Sequence, residues 1–289
     1  MTIDPPPSQV VQEIVRLALE EDRARDDITT LATIPAGLPG RATFLAKSHG
    51  VVAGLPVAHR VFLTLEPSVH FDQSVADGSL FAPGDTLAVA EGPVRALLQG
   101  ERTALNFVQR LSGVATLARS YVEAIRGTGA VILDTRKTTP GLRDLEKYAV
   151  RCGGATNHRR DLASMAMIKD NHREALTREG VSLVEGVERI RQLAASRGLA
   201  VPVELEIDSL SQLDAALSAS PDWILLDNMS IEDMREAVRR TAGGAKLEAS
   251  GGITLETARG AAETGVDAIS VGALTHSAPA VDISLELTF

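Results

Sequence analysis

Two basic stretches lie near each other in an acidic chain. Residues 134–143 read DTRKTTPGLR and residues 153–161 read GGATNHRRD, and residues 134–169 carry eight Lys and Arg side chains against four Asp and Glu. The whole 289-residue chain has a formal net charge of −9. Arginine holds a carboxylate or phosphate through two parallel N–H donors, which lysine cannot do. This local basic patch predicts a small anionic ligand rather than a nucleic acid, with a solvated basic helix face as the alternative.

The bulk properties indicate a folded protein that does not span a membrane. Hydrophobic residues make up 44% and charged residues 23% of the chain, and the length suits two domains, or one barrel with an attachment. No apolar run approaches the roughly 18 residues that a bilayer requires, and the N-terminal MTIDPPPSQV does not resemble a signal peptide. The one cysteine, Cys152, excludes an intrachain disulfide. We expect a cytoplasmic protein that binds neither membrane nor nucleic acid.

The elements that position the basic stretches follow from hydrophobic periodicity. Helical spacing extends over residues 8–22 and over 97–125, where Gly113 is expected to divide the helix in two. Residues 41–53 and 69–91 indicate short strands separated by turns, so that the first part of the chain predicts a small α+β unit. The C-terminal DISLELTF is expected to return to this unit as a strand.

After Gly127, short apolar strands alternate with amphipathic helices. Strands are predicted at 130–135, 165–169, 201–207, 223–227, 246–250 and 267–272, and helices near 142–151, 183–197, 209–219, 230–241 and 254–264. This alternation implies a parallel sheet, either doubly wound or closed into a barrel. No GxGxxG follows a strand, which disfavours a dinucleotide-binding fold.

The alternation of side chains along the strands favours the barrel. In VELEI, Val203, Leu205 and Ile207 share one face, whereas the two glutamates share the other, and KLEAS at 246–250 alternates in the same way. A doubly wound sheet buries both faces and should be apolar on both. A barrel instead directs its apolar face to outer helices and its polar face to the centre, where some of the charges are expected to form salt bridges.

Polar residues also concentrate where the predicted strands end, which is the edge that carries chemistry in α/β barrels. They are Thr135-Arg136-Lys137, Lys169-Asp170-Asn171, Glu206 and Asp208, Asp227-Asn228, Ser250-Gly251-Gly252, and Gly272. The last two groups follow the two final strands in glycine-rich turns. Such turns expose backbone N–H groups, and the helix after Thr254 directs its positive end toward them, so we predict a phosphate site there.

Seven motifs resemble those of the quinolinate phosphoribosyltransferase family. They are ERTALNFVQRLSGVAT, DTRKTTPGLRDLEKYAVRCGGATNHR, MIKDNH, ELEIDSL, LLDNM, EASGGI and VGALTHS, in the family's order from about residue 21 to the C-terminus. The combination of DTRKT-PGLR with NHR and IKDNH is highly specific. The resemblance implies an α/β protein with an incomplete TIM-like α/β barrel and an N-terminal α/β sandwich domain. The sandwich domain would comprise 1–115, joined by 276–289, and the barrel 116–275.

The resemblance also implies an activity and an assembly. Members convert quinolinate and phosphoribosyl pyrophosphate (PRPP) into nicotinate mononucleotide, pyrophosphate and CO2 with Mg²⁺, in NAD biosynthesis. They work as a homodimer or a hexamer of dimers, in which the sandwich domain of one subunit covers the barrel mouth of the other. The chain is therefore expected to be a pentosyltransferase.

The family's site residues map onto the matching motifs of this chain. The resemblance assigns quinolinate binding to Thr135, Arg136, Lys137, His158 and Arg159, completed by Arg102 from the partner subunit. It assigns contacts with both substrates to Lys169, and contacts with the ribose and Mg²⁺, directly or through water, to Glu206 and Asp227. By the same resemblance, Lys169, Glu206 and Asp227 are the expected catalytic residues. It assigns phosphate binding to Ser250, Gly251, Gly252 and Gly272.

Other polar residues receive smaller roles, and two other activities stay open. Glu204 and Glu248 are expected to support the site, Lys246 to pair with a glutamate, and Cys152, His49, His59 and His70 to be structural. One alternative is a phosphoribosyltransferase for another pyridine carboxylate, which would need fewer cations. The other is a TIM-barrel phosphosugar aldolase that uses Lys169 as its Schiff base.

Overall fold

The computed structural model describes residues 3–289, and the chain divides into two compact units. The first unit comprises Met1–Arg119, described from Ile3, with Lys137–Ala155 and Ala273–Phe289. The second unit comprises Ser120–Arg136 and Thr156–Gly272. This division differs from the predicted domains mainly at residues 137–155, which the sequence places in the barrel.

Helices and strands alternate along most of the chain. The helices are α1 (Ser8–Glu21), α2 (Ile28–Thr33), α3 (Leu55–Leu65), α4 (Val94–Ala124), α5 (Arg143–Cys152), α6 (Asp170–Arg178), α7 (Leu183–Ser196), α8 (Leu213–Ser218), α9 (Ile231–Thr241), α10 (Leu255–Ala262) and α11 (Ala273–His276). The strands are β1 (Pro39–Ala46), β2 (Gly50–Val51), β3 (His70–Gln73), β4 (Leu80–Phe81), β5 (Thr86–Pro93), β6 (Val131–Leu133), β7 (Ala166–Ile168), β8 (Val203–Ile207), β9 (Trp223–Asp227), β10 (Lys246–Ser250), β11 (Ala268–Ser270) and β12 (Ile283–Thr288). Short 3₁₀ helices lie at Ala24–Asp26 and Leu210–Gln212.

The first unit is built on a four-stranded antiparallel sheet in the order β12-β1-β5-β3. β12 pairs with β1 from Arg41 opposite Thr288 to Ala46 opposite Ile283, which confirms the predicted return of the C-terminus as a strand. Phe44 of this sheet packs edge-to-face on Phe62 of α3, with ring centroids 6.2 Å apart. Helix and sheet therefore share one apolar core.

The helix α4 is continuous, so the prediction of a break at Gly113 is wrong. A Cβ built at Gly113 would lie 2.0 Å from the carbonyl oxygen of Pro279, far inside van der Waals contact. The absence of a side chain at Gly113 therefore allows the backbone at Pro279 to pass close to α4 within the first unit. The backbone hydrogen bonds of α4 continue through this glycine.

The second unit contains a six-stranded sheet in the order β6-β11-β10-β9-β8-β7, and every strand pair in it is parallel. Beyond β6, Thr156 forms a parallel bridge with Leu133. Val203, Leu205 and Ile207 are buried as predicted, and Glu204 on the opposite face is also fully buried. Charged residues facing an interior confirm the prediction of an incomplete α/β barrel.

The structure adds helices that periodicity did not indicate. α6 contains no buried residue, so it lacks the apolar stripe by which an amphipathic helix is found in sequence. α3 starts at Leu55-Pro56 after Gly54, whose φ of 101° turns the chain. Across residues 3–289, no helix is both long enough and apolar enough to cross a membrane.

Candidate active site

Most of the predicted site residues belong to the second unit, at the ends of its parallel strands. These are Thr135, Arg136, His158, Arg159, Lys169, Glu206, Asp227, Ser250, Gly251, Gly252 and Gly272. Arg102, exposed on α4, and Lys137 belong to the first unit. The first-unit residue Thr275 donates a hydrogen bond from its hydroxyl to the carbonyl of Lys137 at 2.8 Å.

Asp134 joins the two basic stretches. It follows β6 directly and is completely buried. Its carboxylate accepts hydrogen bonds from the Asn157 amide at 2.7 Å and from the backbone N–H of His158 at 2.8 Å. In the sequence, Asp134 enters only as one of the four acidic residues of 134–169. A carboxylate at the end of a buried strand was the available signal, because such a group must find hydrogen-bond donors.

His158 faces two buried glutamates on neighbouring parts of the sheet. Its Nε2 lies 3.3 Å from Glu204 Oε2 and 3.1 Å from Glu248 Oε2. Burial of the ring disfavours its charged form, but hydrogen bonds and attraction from the two carboxylates outweigh burial and raise the pKa of His158 to about 9. Burial and the nearby Glu248 charge raise the pKa of Glu204, against the lowering effect of His158.

Arg159 brings a guanidinium close to that of Arg136. Arg159 donates to the carbonyl oxygen of Met165 at 3.0 Å and to Met167 Sδ at 3.3 Å. Its pKa is lowered, first because the group is partly buried and next because the Arg136 cation repels it. Two cations that repel each other on one cavity favour an anion between them.

A cavity of about 620 Å³ within the second unit joins these cations to an apolar wall. Arg136, Arg159 and Lys169 line it together with His172, Glu179 and Arg189. Its apolar lining residues include Ala166, Ile168, Ala175, Leu176, Val181 and Ile190. A flat aromatic molecule with more than one carboxylate would match this combination of cationic and apolar side chains.

Lys169 and Glu206 form an ion pair where β7 and β8 end, and Glu206 is largely buried. The Lys169 nitrogen thus has a carboxylate partner, whereas a Schiff-base lysine must have its nitrogen available to attack a carbonyl carbon. Asp227 closes β9 and accepts a hydrogen bond from the Asn228 amide at 3.0 Å. Both carboxylates offer the oxygen ligands that suit Mg²⁺.

Two of the glycines in the predicted phosphate turn have left-handed backbone. Gly251 has a φ of 88° and Gly252 a φ of 60°. A Cβ at Gly251 would lie 2.3 Å from Asn228 Oδ1 and 2.8 Å from the Asn228 backbone nitrogen. The next helix, α10, is capped by Thr254, whose side chain and that of Thr257 satisfy each other's backbone N–H groups.

Three of the residues given minor roles, Lys246, Cys152 and His59, fall outside this group. Lys246 lies over the Trp223 ring, 5.1 Å from its centroid. Cys152 is buried in the first unit, where burial and the nearby Asp77 carboxylate raise its pKa to about 12. His59 stacks on Phe71 with ring centroids 5.1 Å apart. These surroundings agree with structural roles for Cys152 and His59.

Comparisons with known proteins cover nearly the whole chain. The family models of the quinolinate phosphoribosyl transferase N-terminal and C-terminal domains match residues 27–112 and 114–286. A Mycobacterium leprae (strain TN) protein named nicotinate-nucleotide pyrophosphorylase (carboxylating) is 44% identical over 285 residues, which is 96% of each chain. Quinolinate phosphoribosyltransferase (decarboxylating) 1 of Nicotiana glauca is 38% identical over 301 residues, which is 99% of this chain and 85% of that protein.

Solved structures agree with these relatives. The nicotinate-nucleotide pyrophosphorylase from Francisella tularensis superposes with a TM-score of 0.91 at 35% identity, covering 100% of this chain and 99% of the other. NadC from Streptococcus pyogenes gives 0.90 at 39% identity, with 99% of both chains covered. Sequence and fold thus agree over both units, and this chain belongs to the quinolinate phosphoribosyl transferase family.

Proposed function

We propose that this protein transfers the phosphoribosyl group of PRPP to quinolinate and releases CO2, forming nicotinate mononucleotide and pyrophosphate. Family membership and the names of the relatives support the reaction. The observation in the molecule that carries the proposal is the placement of Arg136, Arg159 and Lys169 on one cavity with an apolar wall. Quinolinate is a planar ring with two adjacent carboxylates, and it matches this combination.

The adjacent carboxylates of quinolinate explain the need for several cations. Arg136 and Arg159 each bind a carboxylate through paired N–H donors, and the pyridine ring lies against the apolar wall. The bound dianion removes the repulsion between the two guanidinium groups. A monocarboxylate such as nicotinate would leave part of that repulsion uncompensated, which favours quinolinate over other pyridine carboxylates.

PRPP binds where β8–β11 end. The backbone N–H groups of Ser250, Gly251, Gly252 and Gly272 bind a phosphate. Glu206 and Asp227 bind the ribose hydroxyls and would hold Mg²⁺, directly or through water. Bound there, the ion would supply positive charge that neutralises the pyrophosphate. Lys169, paired with Glu206 in the structure, is placed to exchange this partner for substrate oxygens.

The reaction needs positioning and electrostatic stabilisation rather than a nucleophilic side chain. The quinolinate nitrogen attacks C1 of the ribose as the bond to pyrophosphate breaks, and positive charge develops on the sugar. Carboxylates of Glu206 and Asp227 stabilise that charge. The ring nitrogen is then cationic, so the C–CO2 bond at the neighbouring carbon breaks with its electron pair on the ring, and a proton replaces the lost CO2.

The assembly and the cell compartment belong to the same proposal. Two copies of this chain form the functional dimer, alone or within a hexamer of dimers, and Arg102 completes the quinolinate pocket of the partner subunit. Arg102 is exposed on α4 and thus available to a second chain. The enzyme acts in the cytoplasm on small molecules.

One assay with two variants tests the proposal. The protein is incubated with quinolinate, PRPP and Mg²⁺, and nicotinate mononucleotide and CO2 are measured, with equal amounts expected. Arg136→Ala should lower kcat/KM for quinolinate by about 100-fold or more, because a buried carboxylate loses its paired cation. Arg239→Ala is the control, because Arg239 pairs with Glu236 on an exposed face of α9.

The alternatives have distinct outcomes in the same assay. Turnover of nicotinate with PRPP but not of quinolinate would reassign the enzyme to another pyridine carboxylate. An adduct on Lys169 after borohydride reduction with a phosphosugar would indicate the aldolase. Normal kcat/KM for quinolinate in Arg136→Ala would refute the pocket.

A further inference from the structure

Three buried side chains of the second unit form a cluster next to Arg159. The ligand-type atoms of His158, Glu204 and Glu248 lie within 4.8 Å of one another. Glu204 on β8 and Glu248 on β10 flank β9, where Glu204 is level with Trp223 and Glu248 is level with Leu225. Both glutamates are essentially unexposed. Their side chains therefore meet His158 in an interior that water does not reach.

Burying two carboxylates close together lowers stability unless both are paired and hydrogen-bonded. Both carboxylate oxygens of Glu204 and Oε1 of Glu248 have no hydrogen-bond partner among residues 3–289, which leaves Glu248 Oε2 as the carboxylate oxygen placed to accept from His158. Such atoms lose their hydration without replacement, and apolar residues of the same size would usually be as stable or more stable. Residues that lower stability, such as these two buried glutamates, are expected at functional sites.

Both nitrogens of the His158 ring interact with the protein. Nε2 points at the two carboxylates, at 3.3 Å from Glu204 and 3.1 Å from Glu248. Nδ1 accepts the backbone N–H of Arg159 at 2.6 Å. Nε2 carries a proton that it can donate to Glu248 in the charged ring and in the neutral Nε2–H form. The raised pKa of His158 favours the charged ring at neutral pH, and Nδ1 accepts the Arg159 N–H only in the neutral ring.

Holding this ring also holds the residue that directly precedes Arg159 in the chain. Asp134 accepts the backbone N–H of the same residue, His158, at 2.8 Å. His158 is therefore fixed both at its ring and at its backbone. The guanidinium of Arg159 starts from this fixed point and lines the cavity.

We propose that Glu248 is a positioning residue that holds the His158 ring by its Nε2–H, with Glu204 packed beside the ring, and so fixes Arg159 for binding a substrate carboxylate. The inference rests on the proposed function, because it takes quinolinate as the ligand of Arg159. It assigns a task to Glu248, which does not line the cavity. Positioning within about 1 Å matters in such sites, since a shift of that size can lower the rate about 100-fold.

The test compares two replacements of Glu248. Glu248→Gln keeps a carbonyl oxygen that accepts the Nε2–H, whereas Glu248→Met has similar size and no acceptor. Glu248→Met should raise the KM for quinolinate about tenfold, with the KM for PRPP and the melting temperature nearly unchanged. Glu248→Gln should stay within about threefold of the wild type, because the hydrogen bond is retained. Glu236→Met on the exposed face of α9 is the matched control.

A measurement on the wild-type protein supports the variants. Nitrogen-15 NMR of the histidine rings, assigned with His158→Gln, should show Nε2 of His158 protonated throughout pH 6–8. A deprotonated Nε2 in this range would overturn the proposal even where Glu248→Met fails to fold. In a folded Glu248→Met, unchanged quinolinate KM would also overturn it.

Two further outcomes distinguish the positioning role from a metal site and from a failure of the proposed function. Binding of one Zn²⁺ per chain by the wild type, abolished in Glu248→Met, would reassign the cluster to a metal and refute the positioning role. If the wild type makes no nicotinate mononucleotide, the proposed function fails, and quinolinate is no longer the ligand assigned to Arg159. The NMR result, which needs no substrate, would still show whether Nε2 carries the proton that Glu248 is proposed to accept.

Discussion

Replacing Gly113 with alanine sets local helix propensity against tertiary packing. Gly113 lies in the middle of α4, where alanine is the better helix former by about 1 kcal/mol. The structure places the carbonyl oxygen of Pro279 only 2.0 Å from the position of the new methyl carbon, and the Cα of Ala280 at 3.1 Å. A contact with a backbone carbonyl cannot be relieved by rotating a side chain.

The size of the effect follows from this geometry. The oxygen must retreat by roughly 1 Å or more to reach ordinary contact, and overpacking of this kind typically lowers stability by about 1–3 kcal/mol, sometimes more. With a gap this short we expect the upper part of that range. After the gain of about 1 kcal/mol in helix propensity, Gly113→Ala should lose about 2 kcal/mol net.

Denaturant unfolding followed by circular dichroism measures this loss, together with the melting temperature, which should fall by about 2–4 °C per kcal/mol. Gly260→Ala is the matched control. Gly260 lies within α10, and its new methyl group would have Ile231 as nearest neighbour at an ordinary 3.7 Å. This variant should gain up to about 1 kcal/mol. Equal or higher stability of Gly113→Ala would refute the close approach.

Two further predictions concern the site. In Gly251→Ala, the alanine must adopt a left-handed φ, which costs about 1–2 kcal/mol, and its methyl group would contact Asn228. The KM for PRPP should therefore rise about tenfold in steady-state assays. An unchanged KM would exclude this turn from phosphate binding. The folded pKa of His158, about 9, exceeds its ordinary 6.5, so its contribution to stability is complete below about pH 6.5 and is lost as pH rises through about 9. Urea unfolding from pH 6 to 10 should show this decline in the wild type, and an equal decline in His158→Gln would contradict the assignment.

Elements with strong local patterns were predictable. The strands predicted at 223–227 and 246–250 have the observed bounds, because a short apolar run in the first and alternating apolar residues in the second lie between clear turn signals. α6 was missed because its nine residues are all at least partly exposed and show no apolar stripe. The break expected in α4 was wrong because sequence does not reveal that another segment passes at Gly113.

The candidate site was predictable as a set of residue types rather than as an arrangement. Arginines in DTRK and NHRR indicated an anion pocket, and the structure places Arg136 and Arg159 on one cavity. The role of Asp134 did not emerge, since its partners Asn157 and His158 lie in the other basic stretch.

The sequence alone determined the alternation of strands and helices, the edge of the sheet where polar residues collect, and the resemblance to a family. These properties depend on residue type and short-range spacing, which act through the backbone geometry of each element. Only the tertiary structure decided that Glu204 and Glu248 meet at His158. That meeting depends on the register of β8, β9 and β10, which is set by packing over the whole sheet rather than by any one segment.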